Sequence, residues 1–301
     1  YFSMTVVIKI GGARAVDPEG AIADVASLVK GDESETADPE GGAGPYDVVV
    51  THGGSTAVDD TLERLGMEPE YVETPSGVVG RFTDEDTMEV FEMVMPGLLN
   101  TEMVASLQSV GVDAVGLSGV DGKLLHGPRK SAVRVVEDGT KKIRRGDHSG
   151  SLKEVNGDLL RSLLDDDYTP VVSPPMAGAD DGAITPVNTD ADRSAAAIAG
   201  ELDGTLVLLT DVPGILEDPD DRDTLIREVE TPADWERMES AAEGFMSRKV
   251  MAIEEALEAG ANEVVVADAN LERPIETALE GDGTHVYPSA LAEEDNGGAK
   301  E

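Results

Sequence analysis

Short runs of apolar, β-branched residues alternate along the chain with longer stretches whose apolar positions recur at helical spacing. Residues 5–10 (TVVIKI) form the first run, and Gly11-Gly12 follow it. Residues 46–54 (YDVVVTHGG) repeat the arrangement, ending in Gly53-Gly54. Runs that are apolar on both faces and bounded by turn residues predict strands covered by helices on each side. Further strands are predicted over 113–119, 169–175, 205–211, 262–268 and 284–288. Helices are predicted over 18–30, 55–65, 84–110, 156–165, 190–200, 232–242, 247–259 and 272–280. Pro18 suits a first helical turn, Pro96-Gly97 predicts a break within 84–110, and Pro174-Pro175 are expected to end their strand. Residues 123–153 depart from the alternation and read as a hairpin, with Asp138-Gly139 at its turn. The stretch 31–45 (GDESETADPEGGAGP) reads as an acidic loop, and 292–301 as a frayed tail. Strand–helix alternation throughout predicts a doubly wound α/β fold.

Composition narrows the classes. The 301 residues suffice for two lobes and a buried core, and 40% of them are hydrophobic, as in a globular chain. The three residues before Met4 read as a non-native extension and are set aside. No apolar run reaches the ~18 residues of a membrane span, and no signal peptide is seen. The absence of cysteine excludes disulfides, Cys-zinc sites and Cys nucleophiles, and fits a reducing cytoplasm. With 62 acidic residues against 23 basic ones, the net charge is −39. Such a chain repels nucleic acid and anionic membranes. Few lysines and 3% aromatic residues add to an expectation of adaptation to molar salt, where screening tolerates self-repulsion.

Against that background, positive charge gathers in one place. Nine basic residues lie between 123 and 153, against Glu137, Asp138 and Asp147. The segment KKIRRGDHSG (141–150) carries Lys141, Lys142, Arg144 and Arg145.

Glycine turns at strand ends let backbone N–H groups approach an anion, and ligands of doubly wound sheets bind there. The sequence has no GxxxxGK[ST] loop, no GxGxxG after the first strand and no GxSxG elbow. The four histidines (52, 126, 148 and 285) show no metal-ligand spacing. His52, at a strand end beside Gly53, reads equally as functional or structural. Lys9 lies inside an apolar strand two residues before a glycine turn, where it must snorkel out or meet an anion. Lys249 lies near the start of a helix, where a surface role is the ordinary one.

KIGG (9–12), HGGS (52–55), SGVVGRFTDEDTMEVFEMV (76–94), AVGLSGVDG (114–122), NTDAD (188–192), LTDVPGIL (209–216) and GFMSRK (244–249) occur in that order. Together they resemble the acetylglutamate-kinase-like branch of the amino acid kinase family, over essentially all of 5–287. One type in that branch phosphorylates free N-acetylglutamate. Another phosphorylates glutamate or α-aminoadipate carried on a small acidic amino-group carrier protein of the LysW type. The NTDAD motif and the basic segment 129–156 are similar to the carrier-dependent type.

The resemblance implies a three-layer α/β/α sandwich with a mostly parallel sheet, continuous through an N-terminal lobe (4–185) and an ATP-binding lobe (186–288). The first lobe would bind substrate and carrier and form a homodimer. Lys9 and Lys249 would stabilise the transferring phosphoryl group, and Asp192 would hold the lysines. Gly11, Gly12, Gly53 and Gly54 would offer N–H groups, Arg81 would pair with a substrate carboxylate, and Asn188 would bind the substrate amide. Thr210, Asp211, Gly214, Ile215 and Met246 would line the nucleotide site. Mg²⁺ would arrive with ATP, held mainly by phosphates. Lys141, Lys142, Arg144 and Arg145 would meet the carrier. Kinases of the same fold acting on carbamate, aspartate or a nucleoside monophosphate, and a nucleotide-sensing regulator without activity, fit the motifs less well.

Overall fold

The computed structural model describes residues 4–11, 18–31, 46–75, 77, 79–137, 139–242 and 245–292. Gly12, Asp138, Gly244, residues 32–45 of the acidic loop and the tail from 293 lie outside them. In chain order the first part runs β1 (Thr5–Ile10), α1 (Glu19–Lys30), β2 (Asp47–His52), α2 (Ser55–Arg64), β3 (Tyr71–Glu73) and β4 (Val79–Arg81). Then come α3 (Glu85–Glu92), a π-helical segment (Met93–Leu99), α4 (Asn100–Ser109) and β5 (Ala114–Gly119). The long hairpin β6 (Leu125–Glu137) and β7 (Thr140–Gly150) follows, then β8 (Glu154–Val155) and α5 (Gly157–Asp165). The chain continues with β9 (Thr169–Asp180), β10 (Ala183–Val187), α6 (Ala191–Glu201), β11 (Thr205–Thr210) and β12 (Glu228–Val229). It closes with α7 (Pro232–Ala241), α8 (Phe245–Ala259), β13 (Glu263–Asp268), α9 (Pro274–Leu279) and β14 (Thr284–Val286).

The main sheet has the path β12–β14–β13–β11–β1–β2–β9–β6–β7, with β5 and β10 on β9 and β8 on β6. Its middle is parallel, as predicted: β1 pairs with β2 and β11, β11 with β13, and β2, β5 and β6 with β9. Antiparallel pairs sit toward the edges, at β13–β14, β6–β7 and β9–β10.

Period-2 alternation along the strands splits the core between two faces. Val7, Val49, Leu206 and Leu208 pack with α5, α6, α7 and α8. Val6, Ile8, Val48, Val50 and Val207 pack with α1, α4 and α9. Each fully buried Val, Leu or Ile contributes about 1.5–3 kcal/mol, so both faces are strongly held. A third, smaller cluster joins α2, α3 and the π-helical segment.

Two expectations about proline are corrected. Pro96 does not break the 84–110 helix. The wider π turn around it accommodates a residue that has no N–H to donate. Nor does β9 stop at Pro174-Pro175. The register against β5 shifts between Ser118 and Gly119, which face Ser173 and Met176. The prolines are bypassed there as a bulge, and the strand runs on to Asp180.

Gly200 marks where α6 meets α8. A Cβ there would come within 2.3 Å of the Ala259 Cβ and 3.0 Å of its carbonyl carbon. Gly→Ala inside a helix ordinarily gains up to ~1 kcal/mol. Here overpacking costs about 1–3 kcal/mol and outweighs it. Gly200→Ala is therefore expected to lower the urea unfolding midpoint without changing the slope of the transition; an unchanged or raised midpoint would contradict the close packing.

Candidate active site

Lys9 sits in the middle strand of the sheet, between Leu208 of β11 and Thr51 of β2. Strand alternation puts it on the same face as Val7, toward α6 and α8, and it is only 7% exposed. Its ammonium is 2.7 Å from Oδ1 of Asp192, in the first turn of α6. Lys249, near the start of α8, lies 3.3 Å from Oδ2 of the same carboxylate. The predicted trio thus comes together around one anion. Burial alone would raise the Asp192 pKa, but the two ammonium groups outweigh it and hold it down at about 2.

Local sequence explains the placement. Asp190 caps α6, accepting from the N–H groups of Asp192 (2.8 Å) and Arg193 (3.1 Å). Its neighbour Asp192 is left free to turn toward the lysines, at a helix end that favours negative charge. Arg193 grips Glu255 of α8 at 2.7 and 2.5 Å, which ties α8, and so Lys249, to α6.

The glycine turn at 53–54 lies beside this trio, at the carboxyl end of β2. One expectation changes. The N–H of Gly53 donates to the Ile10 carbonyl at 3.1 Å and is not available to a ligand. The N–H of Gly54 has no acceptor among the described residues. Residue 54 must also be small, since a Cβ would stand 2.3 Å from Leu99 Cδ1 and 2.6 Å from Met95 Sδ.

Arg81 is not a free cation either. It pairs with Asp59 of α2 and donates to the Ser55 carbonyl (3.0 Å) and the Tyr71 hydroxyl (3.1 Å). Its guanidinium lies 5.2 Å from the Tyr71 ring centre. A substrate carboxylate would have to share this guanidinium with Asp59, and sequence reasoning singled out neither Asp59 nor Tyr71. Asn188 donates to Thr83 Oγ1 at 3.0 Å, and its backbone is bonded to His148 and Gly150 of β7. Thr83 N–H in turn donates to the buried Asp147 carboxylate. The basic hairpin therefore abuts the predicted substrate residues. Thr83 and Asp147 carried no sequence signal beyond lying in the quoted motifs.

The predicted nucleotide residues divide. Thr210 and Asp211 lie at the end of β11, joined by a 3.2 Å hydroxyl–carboxylate bond. Gly214 is in a left-handed conformation, φ 153°. Met246 is partly buried against the core. The side chain of Ile215 is fully buried in the core, and its N–H donates to Thr284 Oγ1 at 2.8 Å. Gly11 lies at the end of β1, beside the 53–54 turn.

The hairpin also sorts its charges by face. Arg144 stands 4.1 Å over the Phe82 ring and is gripped bidentately by Glu70. Lys142, on that same face, pairs with Glu137 at 2.8 Å. The opposite face carries Lys141, Ile143 and Arg145, with Arg134 directly across from Ile143. Lys141, Arg145 and Arg134 have no ion-pair partner among the described residues, and Ile143 is 67% exposed.

The chain matches the family model "Amino acid kinase family" over residues 4–268. It is 43% identical over 285 residues to a Thermus thermophilus protein named "[LysW]-aminoadipate kinase", covering 93% of this chain and 99% of that one. It is 45% identical over 243 residues to a Methanopyrus kandleri protein named "Acetylglutamate kinase", covering 80% and 91%. Among solved structures it resembles N-acetylglutamate synthase from Neisseria gonorrhoeae (TM-score 0.71, 23% identity), covering 94% of this chain and 59% of that one. With the fold, the lysine pair and these matches together, the chain belongs to the amino acid kinase family.

Proposed function

We propose that this kinase uses ATP to phosphorylate the side-chain carboxylate of glutamate or α-aminoadipate carried on an acidic LysW-type protein, in lysine or arginine biosynthesis. The observation that carries the phosphoryl-transfer part is the pair of lysines bridged by Asp192. A carboxylate oxygen attacks the γ-phosphorus, and an acyl phosphate and ADP result. The nucleophile is already an anion, so no proton has to move. The difficulty is the approach of two anions and the charge spread over the phosphoryl oxygens. Two ammonium groups and a directed backbone N–H suit that task.

These residues fit a polyphosphate. Lys9 and Lys249 together outweigh Asp192 by one charge, and the Gly54 N–H has no acceptor among the described residues. Mg²⁺ would be held mainly by the phosphates. Among the described residues no three acidic or histidine side chains converge on a metal-sized point. The division into a substrate lobe (4–185) and an ATP lobe (186–288), a homodimer and a cytoplasmic location belong to the same reading. No helix among the described residues is long and apolar enough to cross a membrane.

The carrier is assigned to the outer face of the hairpin: Arg134, Lys141 and Arg145 around exposed Ile143. Arg144 and Lys142, already paired on the inner face, brace the hairpin instead. The Methanopyrus relative supports a second reading, free N-acetylglutamate as substrate.

Hydroxylamine trapping decides between them. Acyl phosphate is expected with loaded carrier and ATP; formation only from free N-acetylglutamate would establish the second reading. In that assay Lys9→Ala and Lys249→Ala are each expected to lower kcat by about 10²–10³, and a loss under tenfold would remove the lysines from the phosphoryl site. Arg145→Glu is expected to raise the carrier KM about 3- to 10-fold while leaving the ATP KM and melting temperature unchanged. Arg144→Glu, facing Glu70, should lower the melting temperature. Equal effects of the two reversals would refute the division of faces.

The acidic composition supports a further proposal, adaptation to molar salt. Between about 0.1 and 1 M KCl the Debye length falls from ~10 to ~3 Å, which relieves repulsion within a chain of net charge −39. The melting temperature should rise steadily over that range; a flat profile would separate the acidity from salt adaptation.

A further inference from the structure

His52 ends β2 on the sheet face opposite Lys9, following Val48 and Val50, and is 3% exposed. Its hydrogen bonds have fixed directions. The Val171 carbonyl of β9 can only accept, so the Asn100 amide turns its Nδ2 toward it, at 2.9 Å. The same Nδ2 lies 3.2 Å from Nε2 of His52, which must then be an acceptor. The neutral ring carries its proton on Nδ1, and Nδ1 is 3.0 Å from the Gly53 carbonyl. Burial is the main influence lowering the pKa of this ring, with Lys9 adding to it and the Gly53 bond opposing. The electrostatics thus favour the neutral form that the geometry requires.

A carbonyl oxygen and the following N–H lie in one rigid peptide plane and point in opposite directions. Holding the Gly53 oxygen therefore sets the direction of the Gly54 N–H, which has no acceptor among the described residues. Two further features converge on the same spot. The π-helical segment lays Met95 and Leu99 over Gly54 and delivers Asn100 immediately after itself. Gly116 of β5 leaves room for Asn100, since a Cβ there would stand 2.2 Å from its Oδ1.

We propose that His52, oriented by Asn100, is a positioning residue that aims the Gly54 N–H at the reacting oxygens. The inference rests on the kinase reading above, which puts the acyl and phosphoryl groups at the glycine turns.

Crossed substitutions test it. His52→Asn keeps an amide N–H close to where Nδ1 stood, and so keeps the bond to Gly53. His52→Gln keeps a polar group close to where Nε2 stood, and so keeps only the bond to Asn100. His52→Asn is expected to retain kcat within about threefold, while His52→Gln loses about 10²-fold, as for a misplaced catalytic group. The ATP KM should stay unchanged in both. Asn100→Ala, and Gly116→Ala by displacing Asn100, should lower kcat as His52→Gln does. Equal kcat in the Asn and Gln variants, or losses that follow melting temperature alone, would overturn the proposal.

A second measurement needs no turnover. ¹⁵N-histidine NMR of the full chain, which has four histidines, identifies His52 by the signals missing from His52→Asn. A neutral ring protonated on Nδ1 is expected, with that preference lost in Asn100→Ala. An Nε2-protonated ring would overturn the proposal. Wild-type protein that fails to phosphorylate loaded carrier would sink the functional reading instead, and the NMR result would still decide the tautomer.

Discussion

Asp192 is the constraint on which the rest of the site depends. It is a single buried carboxylate between two ammonium groups that arrive from opposite ends of the chain. Removing such charges from water costs several kcal/mol per ion, so neither lysine would stay at this depth without the anion. The bridge in turn demands precise support. Lys9 is set by the middle strand of a parallel sheet, Asp192 by a helix start capped by Asp190, and Lys249 by a helix held to α6. The contacts between α6 and α8, Arg193 with Glu255 and Gly200 against Ala259, thus support the bridge from outside it. They fix how far Lys249 stands from Lys9.

A triad with one charge to spare also explains why the sheet centre can tolerate a lysine. The unbalanced cation is compensated only when an anion arrives. Arg81, the cation expected to meet the substrate carboxylate, is already held by Asp59. On the kinase reading, a phosphoryl group would meet the surplus charge of the two lysines around Asp192. Short, directed contacts of this kind persist where salt screens long-range fields.

Much of this was legible in the sequence, and for a physical reason. β-branched runs buried on both faces have few alternative folds, so every predicted strand and helix is found within a residue or two, except around the prolines. Pro96 and Pro174-Pro175 read as stops because local rules weigh the missing N–H. The packed environment instead absorbs it, by a π turn in one case and a bulge in the other. The short strands β3, β4, β8, β10 and β12 left no pattern, since two to five residues carry too little periodicity. Lys9 stood out as a charge where apolar residues belong. Asp59, Tyr71, Thr83 and Asp147 did not, because polar residues in helices and loops are ordinary until tertiary contacts bring them together. Motif resemblance placed Arg81, Ile215 and Gly53 at the site but could not show that their groups were already engaged.

The pleat of the strands supplies the last step. Residues 9 and 51 face one helical layer, and residues 10 and 52 the other, so the carboxyl ends of β1 and β2 are gripped from both sides. On one side stand the lysines and their carboxylate, which deal with charge. On the other stand His52 and Asn100, neutral and directional, which deal with orientation. Charge placed on the second side would have been wasteful, because an imidazolium could not accept from Asn100 and would repel Lys9 across the sheet. A neutral histidine whose tautomer is dictated by a backbone carbonyl transmits geometry without adding to the field. The same alternation operates at the hairpin, where Arg144 faces Phe82 and Glu70 and Arg145 lies on the opposite face, the one proposed for the carrier. In both places, one residue along a strand is the whole difference between supporting a site and presenting one.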